Sequence, residues 1–270
     1  MEIREFAERV LLSAPLADKL APPGGPWTDE RPGAPRRVAQ PARTDALRFA
    51  PKGRSAKMPH RSALREARLR AVAHHVMANH ELQALEAMAW TLLAFPDAPH
   101  EFRVAVADVM LDEQRHTKMH IRRIRACGLD FGDLPVNGRV WLRSRDAEDV
   151  LDYLALLPLT FENANLDHTI EFAEAFARAG DVQARDVMLA IHADEIRHVA
   201  LGVQWLRRLK PASSSDWEVY AARLRVPMRP CHAKGRSFQW GARIEAGMDV
   251  DFVQRLAALA TEPPRGADHP

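Results

Sequence analysis

The sequence predicts an all-α protein organised round four long helices, and three features carry that prediction. Stretches rich in Ala, Leu, Met, Glu and Arg run for many turns without glycine or proline, as from Arg61 to Phe95. No stretch shows a convincing period-2 alternation of apolar and polar residues, the mark of a strand. A five-residue motif, DEQRH (Asp112 to His116), returns as DEIRH (Asp194 to His198), each time inside an apolar helical pattern.

Residues 2–21 read as a short amphipathic helix, with Ile3, Phe6, Val10 and Leu11 at helical spacing. Pro22, Pro23, Gly24, Gly25 and Pro26 end it, and 22–60 is expected to be an irregular segment wrapping the surface. The first long helix spans Arg61 to Phe95, and FPDAP stops it. The second spans about Glu101 to Cys127 and ends at Gly128, since glycine is favoured just past a helix. GLDFGDLPVNG (Gly128 to Gly138) reads as a loop. The third helix runs from about Asp146 to Ala179 and the fourth from about Asp181 to Leu209. SSSD (Ser213 to Asp216) caps a short helix around Trp217 to Leu224, and a last helix runs from about Gly241 to Leu259. The expected domains are 1–60, a helix with a basic irregular segment; 61–210, the four-helix bundle; and 211–270, a helical extension packed on the bundle.

With 270 residues, 47% of them hydrophobic, the chain can bury a substantial core. Its two cysteines, Cys127 and Cys231, form neither a disulfide framework nor a C-x-x-C pair. The N-terminus lacks a signal-peptide pattern and no run of eighteen apolar residues occurs, so a cytoplasmic protein without a membrane span is expected. A net charge of +2 conceals a basic stretch: residues 31–70 hold twelve Lys or Arg against Asp45 and Glu66. Such a stretch serves either as a docking strip for an anionic partner such as RNA, or as an arm whose arginines pair with acidic helix faces behind it.

The repeat extends beyond the motif. With the two motifs aligned, HELQALE (His80 to Glu86) lies on FENANLD (Phe161 to Asp167), pairing Glu81 with Glu162 and Glu86 with Asp167. At roughly 100° per residue, Glu113 and His116 lie only about 60° apart on the helix surface, and so do Glu195 and His198. Glu81 shares its face with Met77, Leu85, Met88 and Leu92, and Glu162 with Leu151, Ala155, Leu166 and Ala173, so both carboxylates belong to apolar stripes. Burying such groups without partners costs several kcal/mol each, which asks for a compensating ion. Glu81, Glu113, His116, Glu162, Glu195 and His198 are ligands enough for two metal ions. Carboxylates with one imidazole per metal suit two iron ions, or manganese or a mixed pair, and do not suit the thiolate sites of structural zinc. Glu86 is expected to be structural, with a ligand role as the runner-up. His74, His75, His80, His168 and His192 read as ordinary polar positions; His120, one turn beyond His116, alone stands apart.

The Glu, Glu-x-x-His, Glu, Glu-x-x-His pattern on four helices resembles the ferritin-like carboxylate-bridged di-iron proteins. More narrowly, NHELQALEAMAW, FPDAP, the PVNG turn, PLTFENANLDH and DEIRHVALGVQWLRRLK resemble an uncharacterised bacterial ferritin-like family known only as a domain of unknown function, over about residues 60–250. The resemblance implies that Glu81 and Glu162 are terminal ligands, that Glu113 and Glu195 bridge two metals, and that His116 and His198 each bind one. It implies further that Asp112 and Asp194 hydrogen-bond ligand histidines, with Arg115 and Arg197 paired to those acids.

The first expected function is a di-iron oxygenase or oxidase using O2 and an electron donor on a small-molecule or carrier-bound substrate, in a chain that could form a homodimer. The second is a ferroxidase, iron-handling or peroxide-scavenging protein. The third is an interaction module that binds an anionic partner through 31–70. Only Tyr153 and Tyr220 are present, and neither is close in helical phase to an expected ligand, which argues against a radical-storing tyrosine.

Overall fold

The computed structural model describes residues 1–260; 261–270, the end of the expected C-terminal extension, lie outside the described residues. Among the described residues the chain is all-helical. It has no strand, only two isolated β-bridges, Glu2 with Thr28 and Phe49 with Val136. No helix there is long and apolar enough to cross a membrane. The chain divides into two units: residues 1–150 with 175–187, and 151–174 with the chain from 188 onward.

In the first unit, α1 (Ile3–Leu12) buries Ile3, Phe6, Val10 and Leu11, the residues its spacing selects. Each contributes about 1.5–3 kcal/mol by leaving water. The expected helix over 2–21 is instead two, because Ser13 and Pro15 are extended and α2 (Leu16–Lys19) restarts after the proline. The first long helix likewise starts later than expected. Arg61–Arg65 form a 3₁₀ turn, Glu66 is extended, and α3 runs Ala67–Ala94. Beyond Ala71 it is buried on nearly every side, as expected of a helix with little polar surface of its own. Its partner α4 (His100–Ala126) ends before Gly128, whose φ of 85° only glycine adopts cheaply.

The segment 22–60 is irregular but firmly tied. Trp90 Nε1 donates to the Val38 carbonyl at 3.2 Å and Arg103 pairs with Asp29, while just before the segment Gln114 Nε2 donates to the Lys19 and Ala21 carbonyls. Several arginines of the basic stretch 31–70 meet acids: Arg31 with Glu5, Arg36 with Glu8, Arg43 with Glu86, and Arg70 with Asp181. Just after the expected loop 128–138 comes α5 (Trp141–Ser144), a short helix that sequence periodicity cannot register. Gln83 in the middle of α3 accepts the Val140 and Trp141 N–H groups at 3.0 and 3.1 Å, satisfying two orphan donors of that helix start.

In the second unit, α6 (Val150–Leu156) passes into a π-helical stretch, Leu157–Glu162, and then α7 (Asn163–Arg178). Pro158 lies in that stretch: proline supplies no N–H, and the ladder widens around the gap. The regular register that places Leu151 and Ala155 on the face of Glu162 therefore does not run through. Then come α8 (Val182–Leu209), α9 (Asp216–Arg223), α10 (Trp240–Glu245) and α11 (Val250–Ala258). Ser215 and Glu218 form a capping box, as the serine run predicts. The expected last helix is split at Gly247, φ 80°. Leu159, Leu166, Val199, Val203, Tyr220, Phe252 and Leu256 share the unit's apolar core.

Candidate metal-ligand clusters

The first unit brings together Glu81 from α3 with Glu113 and His116 from α4. Their exposures are 7%, 1% and 0%. Glu113 and His116 lie one turn apart, and His116 Nδ1 is 3.8 Å from Glu113 Oε1. A ligand atom of Glu81 comes within 4.8 Å of one of His116. Burial works against the charge of Glu81, but the imidazoles of His120 and His116 beside it outweigh burial and hold its carboxyl at about 2. It is a carboxylate at neutral pH.

The second unit repeats the arrangement. Glu162 closes the π-helical stretch, and Glu195 and His198 come from α8, at 4%, 1% and 1% exposure. His198 Nδ1 is 3.7 Å from Glu195 Oε2, matching the first unit to a tenth of an ångström, and ligand atoms of Glu162 and His198 come within 4.8 Å of each other. In both units the same ring nitrogen, Nδ1, turns toward the carboxylate. The wide turn that presents Glu162 is further held by Thr160, whose hydroxyl donates to the Ala155 carbonyl at 2.7 Å and lies 3.0 Å from the Tyr220 hydroxyl.

The acids and arginines of the two motifs pair one turn apart. Arg115 Nη2 donates to Asp112 Oδ1 at 2.7 Å, with both side chains partly exposed. Arg197 Nη2 donates to Asp194 Oδ1, with Asp194 nearly buried and Arg197 mostly in water.

Glu86 is not among the clustered groups. Arg43 donates to both of its oxygens and Lys19 Nζ lies 3.0 Å from Oε1, all three side chains being buried. Its role is structural, as expected.

Three polar side chains lie beside the clusters: Asn165, which the sequence does not single out, His74, which reads as ordinary there, and His120, which stands apart. Asn165 Nδ2 donates to Glu195 Oε1 at 2.9 Å. His120 and His74 are wholly buried, with Nδ1 atoms 2.9 Å apart, and His120 Nε2 lies 3.5 Å from Glu81 Oε1. Asn165 gives no repeat signal, because Ala84 stands at the matching place in the first half. His120 carried a weak one, its position one turn beyond His116.

A family model described as "Protein of unknown function (DUF455)" matches residues 6–254. A Haemophilus influenzae protein described as uncharacterized is 28% identical over 152 residues, which is 55% of this chain and 52% of that protein. The chain thus spans about half the length of the curated relative it matches. No solved structure matches.

Proposed function

Because the chain belongs to this family, whose description names no activity, we propose from the clusters themselves that it is a ferritin-like non-haem di-iron oxygenase or oxidase, acting with O2 on an organic substrate. The carrying observation is the recurrence of one buried geometry. Each unit places a glutamate beside a Glu-x-x-His turn whose Nδ1 sits 3.7–3.8 Å from its own carboxylate. A centre of two ions calls for two matched ligand sets, and the recurrence fits that need.

The donor set fits iron: carboxylates and imidazoles, with no thiolate among these ligands. Glu195 Oε2 is buried without a hydrogen-bond donor, as a metal-directed carboxylate oxygen should be. Glu81, Glu113 and His116 would be the ligands in the first unit and Glu162, Glu195 and His198 those in the second. Two ferrous ions, or manganese in their place, would supply the electrons for reducing O2.

The chain's own contribution is positioning and exclusion of water. Leu85, Met88 and Leu92, on the same helical face as Glu81, are buried, and so are Leu159 and Leu166, near Glu162 in sequence, within the second unit's apolar core. Asn165 fixes one oxygen of Glu195, leaving the other for the ion.

Anaerobic iron loading followed by O2 tests the reading. About two irons per chain should bind and oxidise together, with less than about half that content in Glu113→Ala and Glu195→Ala. If the wild type retains essentially no iron or manganese, the clusters are buried polar networks and the proposal fails. Repeated oxidation of many added irons without need of an organic substrate would favour iron handling instead.

A further inference from the structure

The two ligand clusters are not equivalent, and the difference lies one turn past each motif histidine. In the first unit that position is His120; in the second it is Gly202. Gly202 could not be replaced by a larger residue without movement, since a Cβ there would come 2.7 Å from Pro158 Cβ. The matching position in the second unit therefore has no room for an imidazole such as the one beside Glu81.

His120 is built into that space. It has no exposure, its Nδ1 is 2.9 Å from His74 Nδ1, and its Nε2 points at Glu81 Oε1 from 3.5 Å without making a hydrogen bond. His74 is equally buried and stacks on Phe176 with ring centroids 4.7 Å apart and planes 3° from parallel. That stack fixes the plane of His74 and therefore the line along which it meets His120.

Two Nδ1 atoms at hydrogen-bond distance share one proton, so one ring donates and the other accepts. With the shared proton on His74, His120 Nε2–H faces Glu81 and favours its carboxylate; with it on His120, Nε2 carries a lone pair directed at that oxygen in a place shut from water, the tautomer an ion would select. Two such donor atoms facing each other repel unless a cation lies between them. At 3.5 Å apart, both can reach one ion at the roughly 2.0–2.2 Å of metal–nitrogen and metal–oxygen bonds. The arrangement of a ligand ring whose second nitrogen is held by a fixed neighbour is the usual way a metal-bound histidine is oriented.

We propose that His120 is a third imidazole ligand, binding through Nε2 the ion held by Glu81 and His116, with His74 as the residue that positions it. The di-metal centre is then asymmetric: one ion has two imidazoles and the other has one. This rests on the di-metal reading above.

Cobalt(II) serves as the probe on the full chain, followed by visible absorption and by proton NMR of hyperfine-shifted exchangeable imidazole N–H signals. The wild type is expected to show three such signals, one per ligating ring. His120→Asn should lose one signal and weaken one of the two binding steps by at least about tenfold, leaving the other step unchanged. His74→Phe, which keeps the stack on Phe176, should weaken the same step. Two ions bound with only two imidazole signals in the wild type would overturn the third-ligand assignment while leaving the di-metal reading intact, whether or not the variants fold. Unchanged binding steps in a folded His120→Asn would do the same. No cobalt binding by the wild type would instead overturn the di-metal reading and this inference with it.

Discussion

Arg243 Nη1 donates to Asp167 Oδ1 at 2.8 Å with both side chains sealed from water, and so does in the second unit what Arg43 does to Glu86 in the first. Glu86 and Asp167 are the acids that the internal repeat pairs. Each receives an arginine from a segment outside the four long helices, the basic arm in one case and the C-terminal stretch in the other. Asp167 also accepts the Gly235 and Gln239 N–H groups, at 2.8 and 2.6 Å, so one carboxylate organises the turn leading into α10. The HELQALE and FENANLD segments thus each carry two acids with separate tasks, one beside the Glu-x-x-His turn and one tying an extension to the helix.

Removing one partner of such a buried pair leaves the other charged and unanswered, which typically costs about 3–5 kcal/mol. Arg243→Ala is therefore expected to lower unfolding free energy in urea by that amount. Replacing both residues, as in Arg243→Met with Asp167→Leu, should recover much of it. A single variant as stable as the wild type would show that water reaches the pair.

Asp29 and Arg103 give a pH-dependent counterpart. Burial alone would raise the Asp29 pKa, but hydrogen bonds from Arg103 Nε at 2.8 Å and Nη2 at 2.9 Å, with the arginine's charge, bring it below the ordinary aspartate value. A carboxyl whose pKa is lower in the folded than in the unfolded chain adds stability that is full above the unfolded value, about 3.9, and vanishes as pH falls through the folded one. The difference in stability between the wild type and Asp29→Asn should accordingly be large at pH 7 and shrink below about pH 4. Urea titrations at both pH values decide it, and an equal gap at each would sink the assignment.

Gly202 tests whether the close approach of α8 to the π-helical stretch is tight. Alanine normally stabilises a helix interior by about 1 kcal/mol over glycine. Here its Cβ would meet the stiff Pro158 ring at 2.7 and 3.0 Å and Leu159 Cδ2 at 3.2 Å, and overpacking of that kind costs about 1–3 kcal/mol. Gly202→Ala is expected to lower the melting temperature; a rise would mean that the proline side gives way freely.

The long helices were legible because their composition and their stops are local properties: Gly128, Gly180 and FPDAP end helices wherever they occur. The inward position of the motif residues was legible for the same reason, since a helix converts spacing into facing. What escaped depends on partners distant in sequence. Pro158 announces a disturbance but not that it becomes a wide turn, which Thr160 and Tyr220 help to hold. The α5 start is satisfied by Gln83, a residue more than fifty positions earlier, and Gly138 of the PVNG turn is small because the Phe49 ring lies where its Cβ would be, 2.9 Å away. Likewise His74 looked like one polar residue among several until His120 and Phe176 were seen against it.

Asn165 offers a test of ligand positioning separate from the ligands themselves. Its amide donates to Glu195 Oε1 at 2.9 Å, while Oε2 of the same carboxylate is buried with no hydrogen-bond partner. One oxygen is thus fixed by the protein and the other is free to face an ion. Leucine at 165 keeps the volume and removes the donor, so the carboxylate can rotate out of its orientation and its first oxygen loses a hydrogen bond in a poorly solvated place. Second-layer changes of this sort cost metal sites about 10–100-fold in affinity. Asn165→Leu should weaken cobalt(II) or iron(II) binding by that factor, and Asn165→Asp should give no rescue, because it sets a second negative charge against Glu195. Equal affinity in the wild type and the leucine variant would show that Glu195 is held by its helix alone, and would remove Asn165 from the account of the site.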